Sequence, residues 1–442
     1  MVEYLGLNRS LRVGSHPDKG HTRPSRTGAE KIHRESECKA GSVSRPRNNH
    51  THGAALRAGP APTRKRASVM TPARSTEALR GCRKNLFEAF PHEPTPASAL
   101  RYQELLAEEI LRTEAEQRRQ RSPAAKRHLR LLRIYGDSLA HSLLSRYAIR
   151  QLSRNAGHPP ALTGQGQAFS LVLEGARGIA ATNICPLIAD LTRSIRNGDL
   201  IACSDPHLPQ IIECKSSEPK HERYDRQGRR GRQSARRESI GKFLGDGHGL
   251  IFGETRPRST LETRRLPEYS WAIIDDVVKL ALRHKPVALD PDPGELISAA
   301  CVGESTDASA AIARMEVVQG DHVMVGSTLN TLSRGPSDVP PPMNWGVSLD
   351  SRWALMEEEV SVTHAFRLEA LIGFTRGEVR ITRVIETPDR IPWRYEAAVG
   401  DELVTFSATN ARDIVYCHHT TASAGWAAVD IARGAVRLFG SA

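Results

Sequence analysis

The chain has 442 residues, of which 39% are apolar, and a formal net charge of +12. It has no run of about 18 apolar residues, as a membrane-spanning helix requires, and its first thirty residues lack the apolar centre of a secretory signal. These properties exclude a helical membrane protein and favour a cytoplasmic protein with two or three domains.

The positive charge is concentrated at the N-terminus. Residues 1–69 carry 14 Lys and Arg against 5 Asp and Glu, a net charge of +9, whereas the rest of the chain carries only +3. Such a segment, rich in Arg, Ser, His, Pro and Gly, buries too little apolar surface to offset its ordering entropy. We therefore expect residues 1–75 to be a disordered basic tail. It is either an arm that attracts phosphate or, as we favour, a dispensable extension, with translation starting at Met70.

Cysteine usage indicates a reducing compartment. The seven cysteines are odd in number, are scattered, and form no C-x-x-C pair. This pattern predicts free thiols and no structural zinc.

Residues 76–160 are predicted to be helical. From about Ala97 to Arg154, Leu, Ile and Tyr recur at spacings of three and four, as on amphipathic helices. The GHPP stretch at 157–160 ends this pattern. A shorter helix is expected at about residues 165–178.

A β-hairpin and a basic helix are predicted next. The apolar runs LIAC (200–203) and IIEC (211–214) flank the turn-rich stretch SDPHLP. Past Pro219 the chain is strongly basic and ends in Ile240, Phe243 and Leu244 at helical spacing. This spacing predicts a helix with a basic face.

Residues 256–442 have mixed signals that predict an α+β region. A helix is expected at WAIIDDVVKLALRHK, with Asp275 and Asp276 facing solvent, and a Pro- and Gly-rich linker is expected at about 334–342. EVRITRVIE, ELVTFSA and DIVYCHH are predicted to be strands. On such a strand His418 and His419 would point in opposite directions, so we interpret them as structural rather than metal-binding.

The stretch IIECK (211–215) places two charged side chains in a strand that is expected to be buried. Glu213 and Lys215 share one face of the predicted strand, and burying both is costly unless they have a partner. A divalent cation would be such a partner. If the turn is centred near Pro206, Asp199 lies opposite Glu213, within the ~5–8 Å reach of cross-strand neighbours. A shift of one residue would place the two carboxylates on opposite faces.

These residues resemble the PD-(D/E)XK nuclease superfamily. Gly-Asp at 198–199 is followed, 14 residues after the Asp, by the Glu of IIECK (211–215). The resemblance covers about residues 135–253. It implies an α/β fold with a restriction-endonuclease-like core at 161–255, in which helices flank a mixed central sheet. The helical region at 76–160 precedes this core, and the C-terminal α+β region follows it.

The resemblance also implies roles for individual residues. Asp199 and Glu213 would bind Mg²⁺ or Mn²⁺ together with the carbonyl of Cys214, and Lys215 would position the attacking water. Glu174 on the preceding helix and Asp190 in an Asp-x-Thr stretch would be further metal ligands, and Gln233 on the next helix a further catalytic residue. The implied activity is hydrolysis of phosphodiester bonds by an endonuclease or exonuclease acting on DNA rather than RNA, in defence or repair.

Arginines of the basic helix are the expected nucleic-acid contacts. Their close spacing suits successive phosphates. They are Arg229, Arg230, Arg232, Arg236 and Arg237. The alternative is a solvated charged face, just as Glu213 and Lys215 could form a solvated ion pair with Asp199 serving only the turn.

Two other functions stay open. The chain could be a catalytically inactive protein that keeps the nuclease fold and binds nucleic acid or assembles with partners. Alternatively, the C-terminal half could carry a separate enzyme, although it has no nucleophile elbow and no cofactor loop. We expect that half to serve substrate selection or homodimer formation.

Overall fold

The computed structural model describes most of the chain beyond residue 73. The described residues are 2–3, 74–153, 159–214, 229–249, 258–261, 267–283, 286–302, 322–334, 338–387 and 393–439. Nearly all of the predicted basic tail and the whole of Lys215 lie outside these ranges.

Four helices begin the described fold, and their starts are encoded locally. They are α1 (Thr76–Glu88), α2 (Pro96–Gln120), α3 (Pro123–Leu143) and α4 (Arg146–Leu152). Each follows a Ser or Thr whose side-chain oxygen accepts a backbone N–H of the first turn. In α2 and α3 a proline takes the first helical position, where its missing N–H costs nothing. The predicted N-terminal helical region is confirmed.

A small antiparallel sheet follows helix α5 (Gln167–Ala181). Its strands are β2 (Cys185–Ile188), β3 (Leu200–Cys203) and β4 (Gln210–Ile212), in the order β2-β3-β4. Helices α2 and α5 both pack against β2. As a result, Leu106, Tyr135, Leu187 and Ile201 belong to one hydrophobic core that joins the N-terminal helices to the sheet.

The predicted basic helix is α6 (Arg229–Asp246). Ile240, Phe243 and Leu244 are buried, and the Phe243 ring lies 6.0 Å from the ring of Tyr147 on α4. The apolar spacing read from the sequence therefore identifies the face that docks this helix. Beyond it, the strands β5 (His248–Gly249) and β6 (Arg258–Leu261) pair with each other, and β6 also pairs with β1 (Val2–Glu3).

The first C-terminal sheet is four-stranded, in the order β7-β8-β10-β9. Its strands are β7 (Val287–Leu289), β8 (Glu295–Cys301), β9 (Val323–Ser327) and β10 (Val360–Arg367). Helix α7 (Trp271–Arg283), which was predicted, covers it, and α8 (Thr328–Arg334) and α9 (Leu349–Met356) lie between β9 and β10 in the chain.

The second C-terminal sheet is a meander, in the order β11-β12-β13-β14. Its strands are β11 (Thr375–Arg376), β12 (Val379–Glu386), β13 (Trp393–Val399) and β14 (Glu402–Ser407). Helices α10 (Thr409–Cys417) and α11 (Thr421–Phe439) complete its core, in which Tyr395, Phe406 and Val429 are buried. The strands predicted at EVRITRVIE and ELVTFSA are confirmed.

The strand predicted at DIVYCHH is wrong, because this stretch belongs to helix α10. Ala411, Ile414 and Val415 recur at helical spacing and are all buried. Ile414 and Val415 are β-branched and favour a strand locally, but tertiary packing selects the helix. Helix α10 ends at His418, which adopts φ +56°, so His418 and His419 follow a helix and do not alternate along a strand.

The solvent-facing prediction holds for Asp276, which is exposed, but not for Asp275. Asp275 does not face solvent alone, because its carboxylate accepts hydrogen bonds from Ser348 Oγ at 2.6 Å and Ser351 Oγ at 2.5 Å. Residues 338–341 of the predicted linker form neither helix nor strand, and they pack on the protein. There Asp338 is buried and accepts a bond from Arg412 Nη2 at 2.8 Å.

The described fold is a mixed arrangement of helices and antiparallel sheets with a helical N-terminal region. All its strand pairs are antiparallel, so the parallel pairs of a mixed sheet are not among the described residues. The described residues, 2–3 included, belong to one compact unit. Six cysteines in the described ranges carry free thiols. Every described helix is too short or too polar to span a lipid bilayer.

Candidate metal and nucleic-acid site

The hairpin brings Asp199 and Glu213 to the same end of two paired strands. Leu200 pairs with Ile212, Ile201 with Ile211, and Ala202 with Gln210. The pairing ends at Leu200 and Ile212, and the Asp199 N–H donates to the Ile212 carbonyl at 2.9 Å, so Asp199 and Glu213 lie just beyond the paired residues. The predicted turn centre at residue 206 is confirmed.

Asp199 is fixed by its neighbours on both sides. Its Oδ2 accepts a hydrogen bond from the backbone N–H of Cys214 at 2.8 Å, so the carboxylate lies beside the peptide that follows Glu213. Gly198 precedes it with φ +90°, and a Cβ there would lie 2.5 Å from Ile211 Cγ2. Glycine is therefore required for Asp199 to meet the second strand. Burial, reinforced by the charge of Asp199, raises the pKa of the Cys214 thiol.

Glu213 contacts the basic helix. Its Oε1 lies 3.4 Å from Nε of Arg237 on α6, and the two side chains are 19% and 24% exposed respectively. Arg237 lies three residues before the buried Ile240 and seven before Leu244, on the face that docks α6. The contact therefore follows from how the apolar residues seat the helix.

Asp190 is close to Asp199. It lies in the single helical turn Ala189–Leu191 that follows β2, and the Ala189 N–H donates to the Asp199 carbonyl at 3.0 Å. Gln165 Nε2 donates to Asp190 Oδ2 at 2.9 Å. Burial raises the pKa of Asp190 and the charge of Asp199 raises it further, while the Gln165 bond opposes the rise. Two acids thus share a negative field, as expected where a cation could be held.

The loop between Asp190 and Asp199 is anchored to α3. Asp137, 2% exposed, accepts hydrogen bonds from the backbone N–H of Arg193 at 2.9 Å and of Ser194 at 2.8 Å. Its carboxylate also accepts the Ser194 hydroxyl at 2.5 Å. Sequence reasoning missed Asp137, although an acid inside an apolar helix face was a usable signal, and it missed Gln165, for which no local signal exists.

The other predicted ligands are less closely associated. Glu174 is exposed on α5, and no described hydrogen bond or ion pair joins it to Asp199 or Glu213. Its neighbour Gly175 faces the site instead, because a Cβ there would lie 2.9 Å from Leu200 Cδ1 and 3.5 Å from Cys214 Sγ. Helix α5 therefore passes over the end of the hairpin with Glu174 on its outer side.

Several predicted residues cannot be placed by their side chains. Lys215 lies outside the described residues altogether. Arg229, Arg230, Arg232 and Gln233 lie on the backbone of α6, but their side chains are outside the described part. Arg236 is partly buried, and burial lowers its pKa.

The available donors suit a hard cation. Within the described ranges, no group of three or more His, Cys, Asp or Glu side chains is placed to hold a metal ion. Mg²⁺, however, is commonly held by one or two carboxylates, with waters and substrate phosphates completing its six ligands. Asp199 and Glu213 offer oxygen of the required kind, whereas zinc would need the nitrogen or sulfur donors that are missing from this group.

Comparison with known proteins returns no match, whether to a family model, to a curated protein or to a solved structure.

Proposed function

We propose that the chain is a metal-dependent nuclease with a restriction-endonuclease-like core, acting on DNA. The single observation that supports this is the placement of Asp199 and Glu213 at one end of the hairpin, with the basic helix α6 beside them. A carboxylate pair next to an arginine-rich helix suits a phosphodiester, because one part attracts a cation and the other attracts phosphate.

In this mechanism each residue has a defined task. Asp199 and Glu213 would hold Mg²⁺ or Mn²⁺, which when bound polarises the phosphate and acidifies water. Lys215 orients the water whose oxygen attacks phosphorus, and the bridging P–O bond breaks. The products are a phosphate monoester and a hydroxyl group. Arginines of α6 hold the strand by its phosphates.

Cleavage assays with matched lysine variants test this function. Wild type should cut plasmid or single-stranded DNA with Mg²⁺ or Mn²⁺ and stop with EDTA. Lys215→Ala should lose about 100-fold or more in rate, as expected for a lost water-positioning group, while its DNA affinity in the absence of metal is retained. Lys126→Ala, which changes an exposed lysine of α3, is the control and should cut like wild type.

The second candidate function is a catalytically inactive nucleic-acid-binding protein. The pairing of Glu213 with Arg237 favours it, because a carboxylate committed to an arginine can be purely structural. This candidate predicts DNA binding without cleavage under any metal. Arg232→Ala combined with Arg236→Ala should then weaken binding and reduce the slope of log affinity against log salt by about 2. Binding without any cleavage by wild type would exclude the enzyme.

A further inference from the structure

The contact between Glu213 and Arg237 is an incomplete ion pair. The closest approach is 3.4 Å, from Arg237 Nε to Glu213 Oε1. Among the described residues this buried Nε makes no hydrogen bond, and Nη2 donates a long bond of 3.5 Å to Ser234 Oγ. Arginine normally binds a carboxylate through two parallel hydrogen bonds. The guanidinium is thus attracted to Glu213 without being locked to it.

The position of Arg237 allows its head group to move. Its helix is held by Ile240, Phe243 and Leu244, which are buried in the N-terminal core. The guanidinium therefore does not anchor the helix, and its long side chain can change partners while the backbone stays in place.

Charge balance gives this arginine a role at the proposed site. Asp199 and Glu213 place two carboxylates at one end of the hairpin, and neighbouring like charges are unfavourable unless a cation is close. The guanidinium group of an arginine keeps its positive charge in a protein. It can leave Glu213 only by moving to another anion.

Resting on the proposed function, we propose that Arg237 is an internal counter-ion of Glu213. In the metal-free protein it neutralises the carboxylate that the cation requires. When a cation takes its place, Arg237 turns to a phosphate of the nucleic acid. Cation binding at Glu213 frees Arg237 for a phosphate, and phosphate binding by Arg237 frees Glu213 for the cation. The two binding events therefore favour each other.

Titration of Mn²⁺ into the full-length protein, followed by calorimetry, tests this role. Arg237→Gln removes the competing charge and should bind Mn²⁺ about 5- to 10-fold more tightly than wild type, as the loss of one cation at ion-pair distance implies. Arg237→Lys keeps the charge and should stay within about 2-fold of wild type. Lys242→Gln, an equal charge change at an exposed position of the same helix, should also match wild type.

A double-mutant cycle on metal-free DNA binding gives an independent readout. Glu213→Gln should release Arg237 and tighten binding of a 20-nucleotide single strand by about 5-fold, whereas the same change in an Arg237→Gln background should have a clearly smaller effect. An equal gain in both backgrounds would indicate only the loss of a negative charge and would contradict the role of Arg237. Thermal midpoints confirm that the variants are folded.

The outcomes separate this role from the proposed function. If wild type binds Mn²⁺ and cleaves DNA but Arg237→Gln binds Mn²⁺ no more tightly, the nuclease stands and Arg237 is not a counter-ion. If neither protein binds Mn²⁺ and wild type cuts nothing, both fail together. Binding of Mn²⁺ by Arg237→Gln alone would support the counter-ion role directly.

Discussion

Asp137 shows how one buried side chain can position a distant site. Its carboxylate accepts hydrogen bonds from the backbone N–H groups of Arg193 and Ser194 and from the Ser194 hydroxyl, which take the place of water. A buried carboxylate without such donors would be strongly unfavourable. The loop that leads to Asp199 is therefore held by α3. Arg193 extends the link, because its guanidinium donates to the carbonyl of Thr331 at 3.4 Å.

His419 makes stability depend on pH. It is 8% exposed, and burial holds its pKa down to about 4, with Arg146 acting in the same direction and Asp413 opposing. Between pH 6.5, the ordinary histidine pKa, and about pH 4, His419 takes up a proton in the unfolded chain but stays neutral in the folded protein. The free energy of unfolding therefore falls as the pH falls through this range. The contribution is present above pH 6.5, and on the order of 3 kcal/mol is lost as pH approaches 4.

Urea unfolding between pH 7 and 4.5 checks this sign. His419→Phe keeps an aromatic ring beside Tyr269 but cannot take up a proton, so it should lose about 2 kcal/mol less stability over that range than wild type. His207→Gln, which changes an exposed histidine of the hairpin turn, controls for the removal of any histidine. Parallel pH curves for wild type and His419→Phe would refute the expected linkage.

At the scale of elements, α3 packs tightly against the segment after β2. A Cβ on Gly136 would lie 2.1 Å from the Leu191 carbonyl oxygen, which is backbone and cannot swing aside. Gly81, on the exposed face of α1, has no atom within 4 Å of such a Cβ. Two helical glycines thus experience opposite environments.

Gly136→Ala and Gly81→Ala should therefore change stability in opposite directions. Alanine at Gly81 should stabilise by about 0.5–1 kcal/mol, because it reduces the freedom of the unfolded chain. Alanine at Gly136 should destabilise by roughly 2–3 kcal/mol through overpacking. Denaturant midpoints at constant slope measure both. A stabilising Gly136→Ala would mean that the loop carrying Asp190 yields more readily than its contacts indicate.

Helices and strands were predictable where the spacing of apolar residues agrees with the turn residues at the ends of the segment. Helix α7 and strand β12 have clear apolar patterns, and the hairpin register followed from a turn centred near Pro206. Helix α10 was missed because Ile414 and Val415 favour a strand locally, and only packing on the neighbouring sheet selects the helix. Local sequence patterns predict secondary structure least well where a short segment packs against several neighbouring elements.

The candidate site was predictable only in part, for a similar reason. Asp199 precedes β3 and Glu213 follows β4, two adjacent strands whose register the sequence indicates. Gln165, in the turn before α5, and Asp137, on α3, reach the same region, and their positions depend on tertiary packing that no spacing encodes. Arg237 was recognised as basic, but its pairing with Glu213 depends on how Ile240 seats α6.

At the scale of the whole molecule, a buried ion pair joins the N-terminal helices to the C-terminal half. Arg83 on α1 binds Glu357 through Nε at 2.5 Å and Nη2 at 2.6 Å, and both side chains are 3% exposed. Arg83 also contacts His128 Nδ1 at 2.9 Å. Asn344 adds a neutral link, donating to the Ser138 carbonyl at 3.0 Å. These contacts predict that the two halves unfold together.

Glu357→Gln tests this coupling, because it leaves Arg83 buried without its counter-charge. The cost should be about 3–5 kcal/mol, the usual range for breaking one side of a buried pair. Tryptophan emission reports on the C-terminal half, where all five tryptophans lie, and circular dichroism at 222 nm reports mainly on the long N-terminal helices. The tryptophans are Trp271, Trp345, Trp353, Trp393 and Trp426.

In wild type the two signals should change at the same urea concentration, and in Glu357→Gln both midpoints should fall together. Glu108→Gln is the matched control, because it breaks an exposed pair with Arg112, whose side chain is 54% exposed, and should change stability by less than about 0.5 kcal/mol. If emission changed at lower urea than circular dichroism in wild type, the helices would be stable without the C-terminal sheets. The buried Arg83–Glu357 pair would then be an interface between independent domains, and the C-terminal half would be free to act separately from the proposed nuclease site.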